Sequence, residues 1–284
     1  MRHHFADSRF GQLHYVEEGH GEPVLLLHQT PRSSDEYRDV LPLLGSSVRA
    51  IAMDTPGFGM SAPLTGEWSV ELFAQAVLDL CDALELEQVA LVGHHTGGVV
   101  ATEVAAAAPR RVRALVLSGM PFVDAPRRHQ VATGRPPIDH VERATDGSHL
   151  QQLWDNRAGY YPADRPDLLE RLVMDALRVL DRVEEGHLAV NRYRMEDRIG
   201  SVTARTLVLC GELDTFSLPD VPKILEAIPG SVAHVLPGTG VPSVDHRPDL
   251  FAEAVRQFLL AQETPSCRHG LNAAPSSPYG TEQR

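Results

Sequence analysis

Five short apolar runs punctuate the chain: PVLLLHQ (23–29), VRAIAMD (48–54), QVALVGH (88–94), RALVLSG (113–119) and RTLVLCG (205–211). None alternates with polar residues, so each predicts a strand buried on both faces, as in a parallel sheet covered by helices. Between them, SVELFAQAVLDLCDALEL (69–86) repeats apolar residues at helical spacing. TGGVVATEVAAAA (96–108) is small and apolar nearly all round before Pro109 stops it, which predicts a deeply packed helix. Near the start, GQLHYVEEG (11–19) alternates and runs into Gly21, the pattern of an antiparallel edge strand.

After Gly119 the alternation lapses. Residues 121–201 are richer in Arg, Asp and His, and DLLERLVMDALRVLDRV (167–183) has helical spacing, so a helical insertion is expected here. Strand character returns at 205–211 and again in VAHVLPG (232–238), and RPDLFAEAVRQFLLAQ (247–262) predicts a closing amphipathic helix with proline in its first turn. The division expected is a core of residues 1–120 and 202–262, a cap of 121–201 and a disordered tail of 263–284, whose Pro, Ser and Gly show no period.

Composition narrows the function classes. With 284 residues, 43% hydrophobic, there is material for one sizeable core. A formal charge of −12 and no basic run argue against nucleic acid or anionic lipid as partner. No apolar stretch approaches the roughly 20 residues of a spanning helix, and the first ten residues lack the apolar segment of a signal peptide, so a cytoplasmic protein is expected. Cys81, Cys210 and Cys267 are far apart and odd in number, which suits buried packing in a reducing compartment.

Ligands of a parallel sheet bind beyond the carboxyl ends of its strands. His28–Ser34, Asp54–Ser61, His94–Gly98, Asp214 and Gly238–Val241 all fall at such ends. In that order the segments LLLHQTPRSS, MDTPGFGMS, VGHHTGG, CGELD and LPGTGVPSVDHRPDLFAEAVRQFL resemble the oxyanion loop, the Asp-x-Pro-Gly-x-Gly-x-Ser turn, the nucleophile elbow, the triad acid and the histidine segment of the α/β-hydrolase superfamily. The resemblance covers about residues 10–262 and implies an α/β-hydrolase fold: a mostly parallel sheet with helices on both faces and a cap over the active site.

Two departures alter the chemistry that the resemblance implies. Gly93 and Gly97 hold the glycine places of the elbow, so the residue between them is His95 where a serine would stand. Counting back from Pro248 puts Val241 at the place of the triad histidine. Neither half of a serine–histidine pair is present, and Ser-His-Asp acyl transfer is excluded. An imidazole can itself act as acid or base near neutral pH, and Asp214, the triad acid of the resemblance, would fix its tautomer. The expectation is therefore a His95 base backed by Asp214, with the backbone N–H groups of Thr30 and Thr96 as oxyanion hole. Two other readings stand beside it: His95 as a residue filling a ligand pocket, or as a remnant.

His28, Trp154, Tyr160 and Tyr161 are the candidates for substrate contact, with bracing of the loop (His28) and core packing (the aromatics) as alternatives. His94 and Asp54 suit structural roles, His246 surface capping, and the histidines and arginines of the insertion, such as His187 and Arg192, a solvated face, with a few of them lining the pocket as the capping insertion of the resemblance implies. His28, His95 and Asp214 lack metal-ligand spacing, so no metal and no cofactor is expected. The function these readings favour is hydrolysis of a small, largely apolar carbonyl compound. Cyclase, lyase or isomerase chemistry on the same base, or non-catalytic binding of a small ligand, are the alternatives. Nothing in the sequence fixes the oligomeric state.

Overall fold

The computed structural model describes residues 1–134 and 137–261. The expected tail, 263–284, and Cys267 lie outside them. Among the described residues eight strands form one sheet: β1 (Arg2–Ser8), β2 (Gly11–Glu18), β3 (Pro23–Leu27), β4 (Arg49–Met53), β5 (Val89–His94), β6 (Val112–Ser118), β7 (Arg205–Gly211) and β8 (Val232–Leu236). Their order across the sheet is β1-β2-β4-β3-β5-β6-β7-β8. β2 pairs antiparallel with β1 and β4, and all the other pairs are parallel.

The expected edge strand is therefore an inner one. β1 covers it, pairing Arg2 with Glu17 and Ser8 with Gly11. The segment RHHFADS offers almost no apolar residues, because its strand is held by the backbone ladder with β2 and not by burial. The central strands behave as their composition demands. Leu25, Leu91 and Leu115 enter the core on one face, while Leu26, Val92 and Val116 enter that on the other. Successive side chains must point to opposite faces of a strand, so a strand covered on both sides has no place for a polar residue.

The helix Val70–Ala83 starts at Ser69, whose hydroxyl accepts the Leu72 N–H at 3.1 Å. Thr96–Ala107 is buried along nearly its whole length, as its small apolar composition requires. Pro248–Leu260 packs Phe251 and Val255 into the second core. Among the described residues between β6 and β7 stand four α-helices, Ala125–Gly134, Ser148–Ala158, Pro166–Arg178 and Glu185–Arg192. The third ends earlier than the 167–183 pattern, and a short turn at Leu180–Arg182 follows it.

Charged contacts tie this insertion to the sheet. Arg32, fully buried after β3, pairs with Asp175 of the third inserted helix (2.9 Å) and with Asp245. Arg198 and the Tyr193 hydroxyl both bond Glu103 of the helix that follows β5. Cys81 and Cys210 are free thiols in the interior. Among the described residues no helix is long and apolar enough to cross a membrane.

Candidate active site

β5 ends at His94 and the next helix starts at Thr96, so the chain reverses through His95 alone. The turn is possible because two residues lack side chains. A Cβ at Gly93 would lie 2.2 Å from the Gly97 carbonyl oxygen, and one at Gly97 would lie 2.0 Å from that of Leu27. His95 takes φ 46° and ψ −111°. That ψ lies outside the left-handed helical well, which asparagine and histidine enter at modest cost, so the turn stores strain of about 1–3 kcal/mol.

The imidazole projects into a cavity of about 370 Å³ that Thr30, Thr96, Val241 and residues of the inserted helices also line. Its Nε2 is buried, without a hydrogen bond, 3.7 Å from Asp214 Oδ2. This is a charge contact just beyond hydrogen-bond length. Gly119, at φ +52°, leaves the room: a Cβ there would lie 3.2 Å from the His95 ring and 3.3 Å from Asp214. Asp214 is anchored through its other oxygen, which accepts the N–H groups of Phe216 (3.0 Å) and Ser217 (2.9 Å). Phe216 stacks against His95 with centroids 6.0 Å apart and 19° between planes.

Burial lowers the pKa of His95; Asp214 opposes the shift, and the charge of His94 adds to it. Burial disfavours ionisation of Asp214, yet the contact with His95 and the two backbone donors outweigh it and hold the carboxyl below its ordinary range. A neutral imidazole beside a carboxylate results.

His94 turns the other way, fully buried. Its Nδ1–H donates to Glu36 Oε1 at 2.9 Å and its Nε2–H to the Val241 carbonyl at 3.0 Å. Glu36 also accepts the backbone N–H of Gln29 (2.9 Å) and its side-chain amide (2.7 Å). Val241 thus both lines the cavity and holds His94 through its carbonyl.

The Thr30 N–H points to the Thr96 hydroxyl at 3.4 Å, and the Thr96 N–H opens a helix, where the first turn's donors have no intrahelical partner. His95, Thr30, Thr96 and Tyr160 thus share one cavity, with Asp214 directly behind His95. His28, Trp154 and Tyr161 do not line it. His28 donates from Nδ1 to the Gln29 carbonyl (2.8 Å) and accepts the Thr55 N–H at Nε2 (3.0 Å), so both ring nitrogens are engaged in bracing the loop. Trp154 and Tyr161 pack with Leu168, Leu169 and Leu172 inside the insertion. His246 meets Thr239 (3.2 Å) at the end of a short helix.

Sequence reasoning missed Glu36 and Phe216. Phe216 lies two residues beyond the acid, a spacing that could have marked it; nothing near Glu36 in the sequence points to His94. Among the insertion's histidines and arginines, of which a few are expected at the pocket, His187 and Arg192 do line the cavity. There Arg157 and His187 share Asp139, with His187 Nε2 2.8 Å from its Oδ2.

Residues 22–240 match the model of the alpha/beta hydrolase fold. The chain belongs to the α/β-hydrolase fold family. As an α/β-hydrolase-fold protein it is 32% identical over 262 residues to 2-hydroxy-6-oxononadienedioate/2-hydroxy-6-oxononatrienedioate hydrolase 2 of Pseudomonas putida, a match covering 83% of this chain and 88% of that protein. It is 27% identical over 264 residues to haloalkane dehalogenase 2 of Mycobacterium tuberculosis (strain ATCC 25618 / H37Rv), covering 88% and 92%. Among solved structures, the enol-lactonase from Burkholderia xenovorans LB400 superposes with a TM-score of 0.74 at 20% identity, over 90% of this chain and 99% of that one.

Proposed function

We propose that this α/β-hydrolase-fold protein hydrolyses a small, largely apolar carbonyl compound with His95 as general base. The hydrolases among its relatives support the reaction class. The observation that carries the mechanism is the placement of His95 on the cavity with Nε2 turned to Asp214, which leaves Nδ1 to serve a bound molecule.

In the reaction, Nδ1 takes a proton from water as the water oxygen bonds to the carbonyl carbon. The carbonyl π pair moves to oxygen, where the N–H groups of Thr30 and Thr96 receive the charge. The carbon–oxygen double bond then reforms, the bond to the leaving group breaks, and the proton on Nδ1 passes to that group. Asp214 stabilises the imidazolium in between, and no acyl group is attached to the protein.

The same base could remove a proton from carbon and drive an isomerisation or cyclisation; the missing nucleophile favours this second reading. Both are tested by offering aryl esters, enol esters and lactones to the wild-type protein, His95→Ala and Asp214→Asn, with mass spectrometry of the protein during a single turnover. Ester or lactone hydrolysis lost in both variants, with no mass added to the wild-type chain, supports the hydrolase. Consumption without hydrolysis supports the second reading. A covalent adduct, or ligand binding without turnover of any kind, overturns both.

A further inference from the structure

On the far side of the loop that follows β3 lies a second cavity, again of about 370 Å³, bounded by β1, β2, the turn at Gly59 and Met60 and the helix Pro166–Arg178. That volume lies within the range of small-molecule sites. Its carboxylates are already satisfied. Asp35 is held by Arg38 and by Arg171 (2.8 Å), and Asp175 by Arg32 and the Ser33 hydroxyl, both at 2.9 Å. Asp54 accepts the N–H groups of Ser34 and Met60 and the Nδ1–H of His14, the last at 2.7 Å.

Two groups are left over. Arg178 makes no hydrogen bond or ion pair among the described residues, so it brings an uncompensated positive charge to the lining. His3 is the outer end of a hydrogen-bonded chain. His14, buried, gives its Nδ1–H to Asp54, so its Nε2 accepts the Nδ1–H of His3 at 3.0 Å, and the Nε2 of His3 remains for a ligand. The remaining surface is apolar and adaptable: Met60 and Met174, 50% and 58% exposed, line it together with Leu41 and Val16.

We propose that this second cavity binds a small amphiphilic carboxylate, its anionic end between Arg178 and His3 and its chain among Met60, Met174 and Leu41. Neither His95 nor its cavity takes part, so this site stands or falls apart from the hydrolytic reading.

Isothermal titration calorimetry with octanoate on the full chain tests it. Expected are binding to the wild-type protein, about tenfold weaker binding in Arg178→Ala, and weaker binding in His3→Gln. Arg178→Lys should retain affinity, octanol should bind more weakly than octanoate, and Ala132→Trp, which fills the first cavity, should change nothing. The proposal is overturned if octanoate gives no heat, if Arg178→Ala binds as the wild type does, or if Ala132→Trp alone abolishes binding.

Discussion

His94 and Glu36 form an ion pair with no solvent contact immediately behind the cavity's histidine, 2.9 Å between Nδ1 and Oε1. Because the other ring nitrogen faces a carbonyl, which can only accept, His94 must be protonated on both nitrogens to satisfy both partners. Burial works against this charge, and Glu36 more than restores it, raising the His94 pKa above its ordinary value. The ring stands edge-on to that of His95, centroids 4.9 Å apart, so a positive charge adjoins the His95 imidazole and helps lower its pKa.

Removing one partner of such a pair strands the other. Glu36→Gln should lower stability by about 3 kcal/mol, measured by urea denaturation at neutral pH. Burial alone would raise the Glu36 pKa, but His94, Arg32 and the Gln29 N–H bring it down to about 2. A depressed carboxylate contributes stability above its unfolded pKa, and that contribution is lost as pH falls from about 4.5 towards about 2. Across that window the wild-type protein should lose more stability than Glu36→Gln does; equal acid sensitivity would place the charge elsewhere.

The neutral state of His95 fixes the sign of the pH dependence. A base with a lowered pKa stays unprotonated at neutral pH, so kcat/KM should be flat there and fall on acidification, with the limb's midpoint below the ordinary histidine value of 6.5. Asp214 holds that value up. Asp214→Asn should therefore move the limb to still lower pH while lowering its plateau. Initial rates on a hydrolysed aryl ester across pH read both effects, and a limb that moves upward would contradict them.

The elbow tolerates no added carbon at its second glycine. In Gly97→Ala the new Cβ meets the Leu27 carbonyl oxygen at 2.0 Å, backbone that can yield only by displacing β3. A loss of about 3 kcal/mol or more is expected in thermal or chemical unfolding. A loss below about 1 kcal/mol would mean that the helix Thr96–Ala107 is free to shift.

How much of this was legible depended on whether the determining contacts were local. Leu25 and Leu26 announce a doubly buried strand because neighbouring residues must enter opposite cores, and Gly93 and Gly97 announce the elbow because close backbone approach demands glycine. β1 was hidden, since a ladder of backbone bonds leaves no trace in side-chain pattern. The strained ψ of His95 was hidden too, being imposed by the packing of β5 against the following helix. Glu36 meets His94 only because β3 and β5 are neighbours in the sheet, and sequence separation conceals that meeting. The packing of Trp154 and Tyr161 was likewise decided by folds within the insertion, where an aromatic suits a core as well as a cavity wall.

The placement of His95 at the cavity matters only if its imidazole moves a proton, and the steady-state rate of His95→Ala measures this most directly. With an ester or lactone that the wild-type protein hydrolyses, kcat/KM should fall by about 10²- to 10⁴-fold while the variant keeps its fold by circular dichroism. A folded His95→Ala protein that retains the wild-type rate within about threefold would contradict the assignment of the base.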